Sequence, residues 1–298
     1  MSKSFAELKK SSKNSISKLT AELAKLNPSQ QTYNDDADEF WRPSVDKVGN
    51  GESIIRFLPA HAGEDFPFVR IFTHGFKGPT GSWYIENSRT TIGENDPVGE
   101  LNTTLWNSGS EEDKQQARDQ KRKLSYISNV YIIKDKLEPE NEGKVRKFRY
   151  GKKIFDKLNA MMNPEFDDEE AVNPFDLWEG ANFRMRIKQV DGYRNYDSSK
   201  FDEPAPLFDN DDEMEAVWKQ TFSLNAHVSP DQFKTYDELK AKLYRVLALD
   251  TPVVSKKTNE SVVAEPVTKK TAAAPKTRAV VEDEDDDMDA FRNLMDDE

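Results

Sequence analysis

From residue 183 the chain reads Phe-Arg-Met-Arg-Ile-Lys, a strict alternation of large apolar and cationic side chains. Successive side chains of a β-strand point to opposite faces. A strand here therefore buries Phe183, Met185 and Ile187 together and sets Arg184, Arg186 and Lys188 in a row on the other side. Like charges in one row repel, and a bound polyanion relieves that cost. The segment demands a sheet with one face in a core and one cationic face in solvent. The turn signal Asp191-Gly192 comes next, and then Tyr193 and Tyr196.

Residues 53 to 58 and 68 to 73 are rich in β-branched and aromatic side chains and read as strands, with a shorter strand over 82 to 85 after the turn Gly78-Pro79-Thr80-Gly81. Residues 126 to 133 alternate, with Tyr126, Ser128, Val130 and Ile132 on one face and Ile127, Asn129, Tyr131 and Ile133 on the other. The stretch 87 to 119 is polar and aperiodic, which predicts a long loop or an irregular subdomain. One helix is predicted over 152 to 162, with Ile154, Leu158 and Met161 on one face. Another follows the capping-box pair Thr235 and Glu238, ahead of Leu239, Leu243 and Val246. The pattern is that of an α+β core over residues 28–250.

Composition matters most at the two ends. Only 36% of the 298 residues are apolar and 33% are charged, too polar for one fully packed globule of this length. The net charge of -12 is segregated along the chain. Residues 1–26 hold six Lys and two Glu, with the cluster Lys9-Lys10-Ser11-Ser12-Lys13 ahead of an amphipathic stripe of Ile16, Leu19, Leu23 and Leu26. Residues 251–281 carry six basic and two acidic residues without periodicity, which predicts a disordered basic linker. Residues 282–298 carry ten acidic residues and one Arg, an acidic tail whose Met288, Phe291, Leu294 and Met295 could present an apolar face to a partner. Residues 121–157 hold twelve basic and five acidic residues. A basic arm, a basic internal belt and an acidic tail in one chain suit a polyanion ligand with a built-in competitor for it.

The absence of cysteine removes disulfides, thiolate catalysis, iron–sulfur clusters and Cys-based zinc sites, and the three histidines His61, His74 and His227 leave little for a metal centre. No segment approaches the ~20 apolar residues of a membrane span, and the first ten residues lack a signal-peptide core, so a soluble intracellular protein is expected. Phosphate-binding loops, dinucleotide fingerprints and nucleophile elbows are absent. The run Glu165, Asp167, Asp168, Glu169 and Glu170 could be offered as a two-metal nuclease centre, but reads better as a solvated surface loop. A further alternative is an acidic-tailed scaffold or chaperone with little affinity for nucleic acid.

Nucleic-acid binding is better supported, because cations recur beside rings. Lys121, Arg122 and Lys123 precede Tyr126; Lys144, Arg146, Lys147 and Arg149 surround Phe148 and Tyr150, with Lys152 following; and the cationic strand leads into Tyr193 and Tyr196. Single strands are held by cations that pair phosphates and by rings on which bases stack.

These residues also carry a resemblance. NGESIIRFLP (50 to 59), HGF (74 to 76), WYIE (83 to 86), KRKLSY (121 to 126), PENEGKV (139 to 145), GKKIFDKLNAMM (151 to 162), WEGANF (178 to 183) and NYDSSKF (195 to 201) are similar, in order and spacing, to the single-stranded-DNA-binding proteins of T-even-type bacteriophages. The resemblance implies an OB-fold-like β-barrel core with helical additions and no enzymatic activity. It also implies an arm over 1–27 for cooperative self-association, in which Lys9, Lys10, Ser11, Ser12 and Lys13 match loosely, and a tail that recruits replication and recombination proteins. The protein would act in the cytoplasm of the infected bacterial host. The family's binding aromatics correspond to Trp106, Tyr126, Phe148, Tyr193 and Tyr196, while Ile127 stands where the family can have tryptophan. The family's zinc site uses one His and three Cys. Here only His74 stands; Ser88 occupies the first cysteine position, and residues 95 to 99 hold neither of the others. No cofactor is therefore expected.

Overall fold

The computed structural model describes residues 39–249 other than 167 and 191. The expected arm, linker and tail lie outside the described residues. One thirteen-residue strand, β5 (Lys123–Asp135), organises the sheet. It pairs antiparallel with β2 (Gly51–Phe57), β3 (Phe68–Lys77) and β6 (Val145–Tyr150). Beyond β2 come β7 (Phe183–Val190) and β8 (Tyr193–Asn195). β4 (Trp83–Asn87) pairs with β3, β9 (Lys200–Phe201) with β7, and the short β1 (Phe40–Trp41) lies parallel to β6. The register slips between Ile54 and Ile55, where Ile133 of β5 is the extra residue left without a partner on β2.

The alternation at residue 183 is realised as expected: Phe183, Met185 and Ile187 are buried, and Arg186 and Lys188 are exposed. The three apolar side chains join Ile55, Phe57, Val130, Ile132, Phe148 and Tyr150 in the main core. Full burial of each such side chain stabilises the fold by about 1.5–3 kcal/mol. Helix α3 (Lys152–Met162) caps this core with Ile154, Leu158 and Met162, with Met161 only half-buried. On the opposite face of β5, Ile127 packs with Val69, Ile71, Leu224 and Val228. The middle of β5 is thus covered on both sides.

Of the long loop or irregular subdomain that polarity predicts over residues 87 to 119, the fold shows the second, with helices that the polar sequence does not suggest. These residues form a 3-10 turn (Arg89–Ile92) and two helices, α1 (Pro97–Trp106) and α2 (Glu111–Asp119). Capping explains the difference. Asp96 accepts from the N–H groups of Val98 and Gly99, with Pro97 at the first helical position, and Ser110 accepts from Asp113 N–H. Apolar periodicity is missing because α1 buries only Pro97 and Val98, and α2 only Ala117. The expected capping box is present at the start of α5 (Tyr236–Leu247), which packs Leu239, Leu243 and Val246 against Phe76, Tyr84 and Val98. The remaining helix, α4 (Asp211–Trp218), seats Met214, Val217 and Trp218 beside Leu58, Val145 and Leu177. The fold is α+β, with nine strands and five α-helices among the described residues.

Candidate nucleic-acid interface

Helices α1 and α2 border a cleft of about 640 Å³ that reaches the 3-10 turn and the segment entering β5. Trp106, Arg118, Lys121 and Arg122 line it together with Asn102 and Thr103. Trp106 ends α1 beyond the two residues that anchor that helix, and it is 50% exposed. The Arg118 guanidinium lies 5.4 Å from the centre of its ring. One concavity therefore offers a half-exposed indole and three cations, the two elements needed to stack a base and to pair phosphates. The fold thus brings together Trp106, Lys121 and Arg122 from the sequence-based set. Arg118 lies on a helix that its polar sequence does not suggest; Ser110 followed three residues later by Asp113 is the signal for it.

The second exposed group lies on β7 and β8. Gly192, at φ +90°, turns the hairpin. Tyr193 pairs with Val190, so its ring shares the outward face of Arg186 and Lys188, and it is 52% exposed. Arg184 is different. It makes a bidentate ion pair with Asp202 at 3.0 and 3.2 Å, and Glu52 stands directly opposite Arg186. The charge row is thus partly neutralised inside the protein, and the repulsion expected from the sequence is smaller than three uncompensated cations would give.

The other aromatic residues of the sequence-based set lie inside the fold. Tyr126, Phe148 and Tyr196 are buried in the main core. Tyr126 stacks on Phe155 of α3 with ring centres 3.9 Å apart, and Phe148 packs between Trp41 and Tyr150, each at 5.3 Å. These side chains lie on the inward faces of β5 and β6, which α3 covers. Among the cations, Lys123, Arg146 and Arg149 are half-buried, and Lys152 is exposed but bonded to Asp156 at 2.6 Å.

The position implied for zinc is occupied by a hydrogen-bonded clasp. His74 Nδ1 lies 3.0 Å from the Gln120 carbonyl oxygen, and Nε2 stands 3.3 Å from Asp96 Oδ1. The other Asp96 oxygen accepts from the Ser88 hydroxyl and the Arg89 N–H. With a hydroxyl at 88, glycine at 99 and both Asp96 oxygens engaged by donors, these residues do not fit a zinc ion. Among the described residues no group of three potential metal ligands converges, and Glu165, Asp168, Glu169 and Glu170 are exposed. Asp167 lies outside the described residues.

Burial alone would raise the Asp96 carboxyl, but the His74 ring and the bonds from Arg89 and Ser88 hold it down to about 2. A depressed carboxyl stabilises the fold above its unfolded value near 4, and that contribution, about 2 to 3 kcal/mol, is lost progressively as the pH falls from there through about 2. Asp96→Asn is accordingly expected to lower the thermal midpoint at pH 7 and to narrow the difference between midpoints at pH 7 and pH 3. Melts of both proteins at the two pH values check this. Equal acid sensitivity would exclude Asp96 as a contributor.

Residues 49–247 match the family model described as gp32 DNA binding protein like. The chain is 40% identical over 238 residues to the single-stranded DNA-binding protein of Enterobacteria phage T4, covering 78% of each chain. It is 39% identical over the same length to that of Enterobacteria phage T2, again with 78% of each covered. Among the described residues no helix is long and apolar enough to cross a membrane. The chain therefore belongs to the gp32 DNA binding protein like family, and it is a binding protein rather than an enzyme.

Proposed function

We propose that this protein coats single-stranded DNA without reading its sequence, in phage replication, recombination and repair within the host cytoplasm. The observation that carries the reading is the cleft in which half-exposed Trp106 meets Arg118, Lys121 and Arg122. The hairpin group of Arg186, Lys188 and Tyr193 supplies a second surface of the same chemistry. Stacking and phosphate pairing do not read base edges, so sequence preference is weak. A strand β5 that pairs with three others and carries an extra residue, Ile133, against β2 supports a curled sheet of the OB type.

Trp106→Ala is expected to weaken binding to an unstructured oligonucleotide by about 5- to 150-fold, the value of one stacked base. The thermal midpoint stays nearly unchanged, because half of the side chain is already in solvent. Intrinsic fluorescence titration of both proteins tests this, and undiminished affinity in the variant would remove the cleft from the interface.

In this reading residues 1–27 dock on the neighbouring protomer along the strand, with Lys9, Lys10, Ser11, Ser12 and Lys13 at the contact. The acidic tail recruits replication and recombination proteins and competes with DNA for the core's cations. Deleting residues 282–298 is expected to tighten DNA binding, most at low ionic strength, where screening is weakest. Affinity unchanged by the deletion at every salt concentration would leave the tail without that competing role.

A further inference from the structure

Strand β3 carries Arg70 and Phe72 on one face, two residues apart, opposite Tyr126 and Leu124 of β5. Arg70 is exposed, and among the described residues it makes no ion pair. Its guanidinium carbon lies 5.4 Å from the centre of the Phe72 ring. The guanidinium carbon of Arg122, arriving from the segment before β5, lies 4.1 Å from the same centre. Two cations thus converge on one ring, which holds them through its quadrupole.

Arg122 is also held from behind. Its Nη1 donates to Thr90 Oγ1 at 2.6 Å, and Thr90 Oγ1 is 3.0 Å from Ser88 Oγ, which donates to the buried Asp96 carboxylate at 3.0 Å. A continuous path of polar contacts therefore runs from the clasp beneath α1 to a guanidinium on the cleft wall. A flexible Arg loses rotamer entropy when it grips a phosphate, and a side chain already fixed by a ring and a hydroxyl loses less.

We propose that Arg70 is a further contact for the backbone phosphates of the single strand, and that Phe72 and Thr90 are positioning residues that hold Arg122 ready for an adjacent phosphate. The proposal rests on the reading of the cleft as a DNA interface. Phe72 is not a base platform here, because guanidinium groups occupy its surroundings; it is the surface on which they lie. One cation and one ring in a strand form no distinguishing pattern in the sequence.

The test is a salt titration of oligonucleotide binding by the full-length protein and four variants, Arg70→Ala, Arg122→Ala, Thr90→Val and the double variant Thr90→Val with Arg122→Ala. The unsubstituted protein tests the underlying reading, since failure to bind single strands would overturn that reading itself. Given binding, Arg70→Ala is expected to weaken it several-fold and to reduce the slope of log affinity against log salt by about 0.7, the value of one phosphate contact on a single strand. Thr90→Val is expected to weaken binding several-fold while keeping the slope, because Arg122 remains charged but loses its anchor. In the Arg122→Ala background the same Thr90 substitution is expected to cost nothing further. A merely structural role for Thr90 would give the same loss in both backgrounds, and that result, or an unaltered slope in Arg70→Ala, overturns the proposal. Phe72→Leu adds a check on the ring, with its melt measured alongside; weakened binding at an unchanged slope is expected, and full affinity would count against the ring's role.

Discussion

Phe148→Ala is expected to lower stability by about 3–5 kcal/mol, the usual result of emptying an aromatic site in a packed core. The side chain is 1% exposed, meets Trp41 and Tyr150 at 5.3 Å and Phe57 at 6.5 Å, and lies on the face that α3 covers. The surrounding rings belong to β1, β2 and β6, whose paired backbones cannot all move inward to fill the space. For a domain with ordinary stability of about 5–15 kcal/mol, such a loss is a large fraction of the whole. Affinity for an oligonucleotide, corrected for the folded fraction, is expected to change little, because no atom of a buried ring reaches the strand. Chemical denaturation and binding measured on the same preparation check both halves. An intact melt with weakened binding would return Phe148 to the interface and show that this part of the core opens to DNA.

Affinity for a single strand is expected to fall on the order of 10²-fold between about 50 and 200 mM salt, if about five phosphates are neutralised at a slope near -0.7 each. Arg118, Lys121 and Arg122 at the cleft and Arg186 and Lys188 on β7 supply that number of exposed cations. Arg184 is left out of the count, because it is half-buried in its bidentate pair with Asp202. Neutralising these cations releases the counterions condensed on the strand, so the response measures charge pairing and is nearly independent of base composition. Fluorescence titrations of homopolymers of two different bases, repeated across the salt range, check both statements. A flat response would exclude phosphate pairing as the driving term. A steep response confined to one homopolymer would mean that base edges are read.

What could be read in the chain by itself was local and periodic. The alternation at 183 determined that Phe183, Met185 and Ile187 face together, and the fold buries them; the spacing of Ile154 and Leu158 marks the helix over 152 to 162 that they anchor; Thr235 and Glu238 mark the start of α5. Period alone says which side chains share a face. It does not say what covers that face. Tyr126 and Phe148 sit beside cations in the sequence, just as Tyr193 does, yet α3 closes over the first two while the β7–β8 hairpin leaves the third in solvent. Helices α1 and α2 escaped because so little of each is buried, and their caps, not an apolar stripe, define them. The contacts among His74, Ser88 and Asp96, and those of Thr90 and Phe72 with Arg122, join residues up to about fifty positions apart. Sequence supplied the residue types for these contacts; only the pairing of β3 with β5 and the docking of α1 placed them within reach, because a hydrogen bond or a ring contact depends on distances of a few ångström that no spacing along the chain specifies.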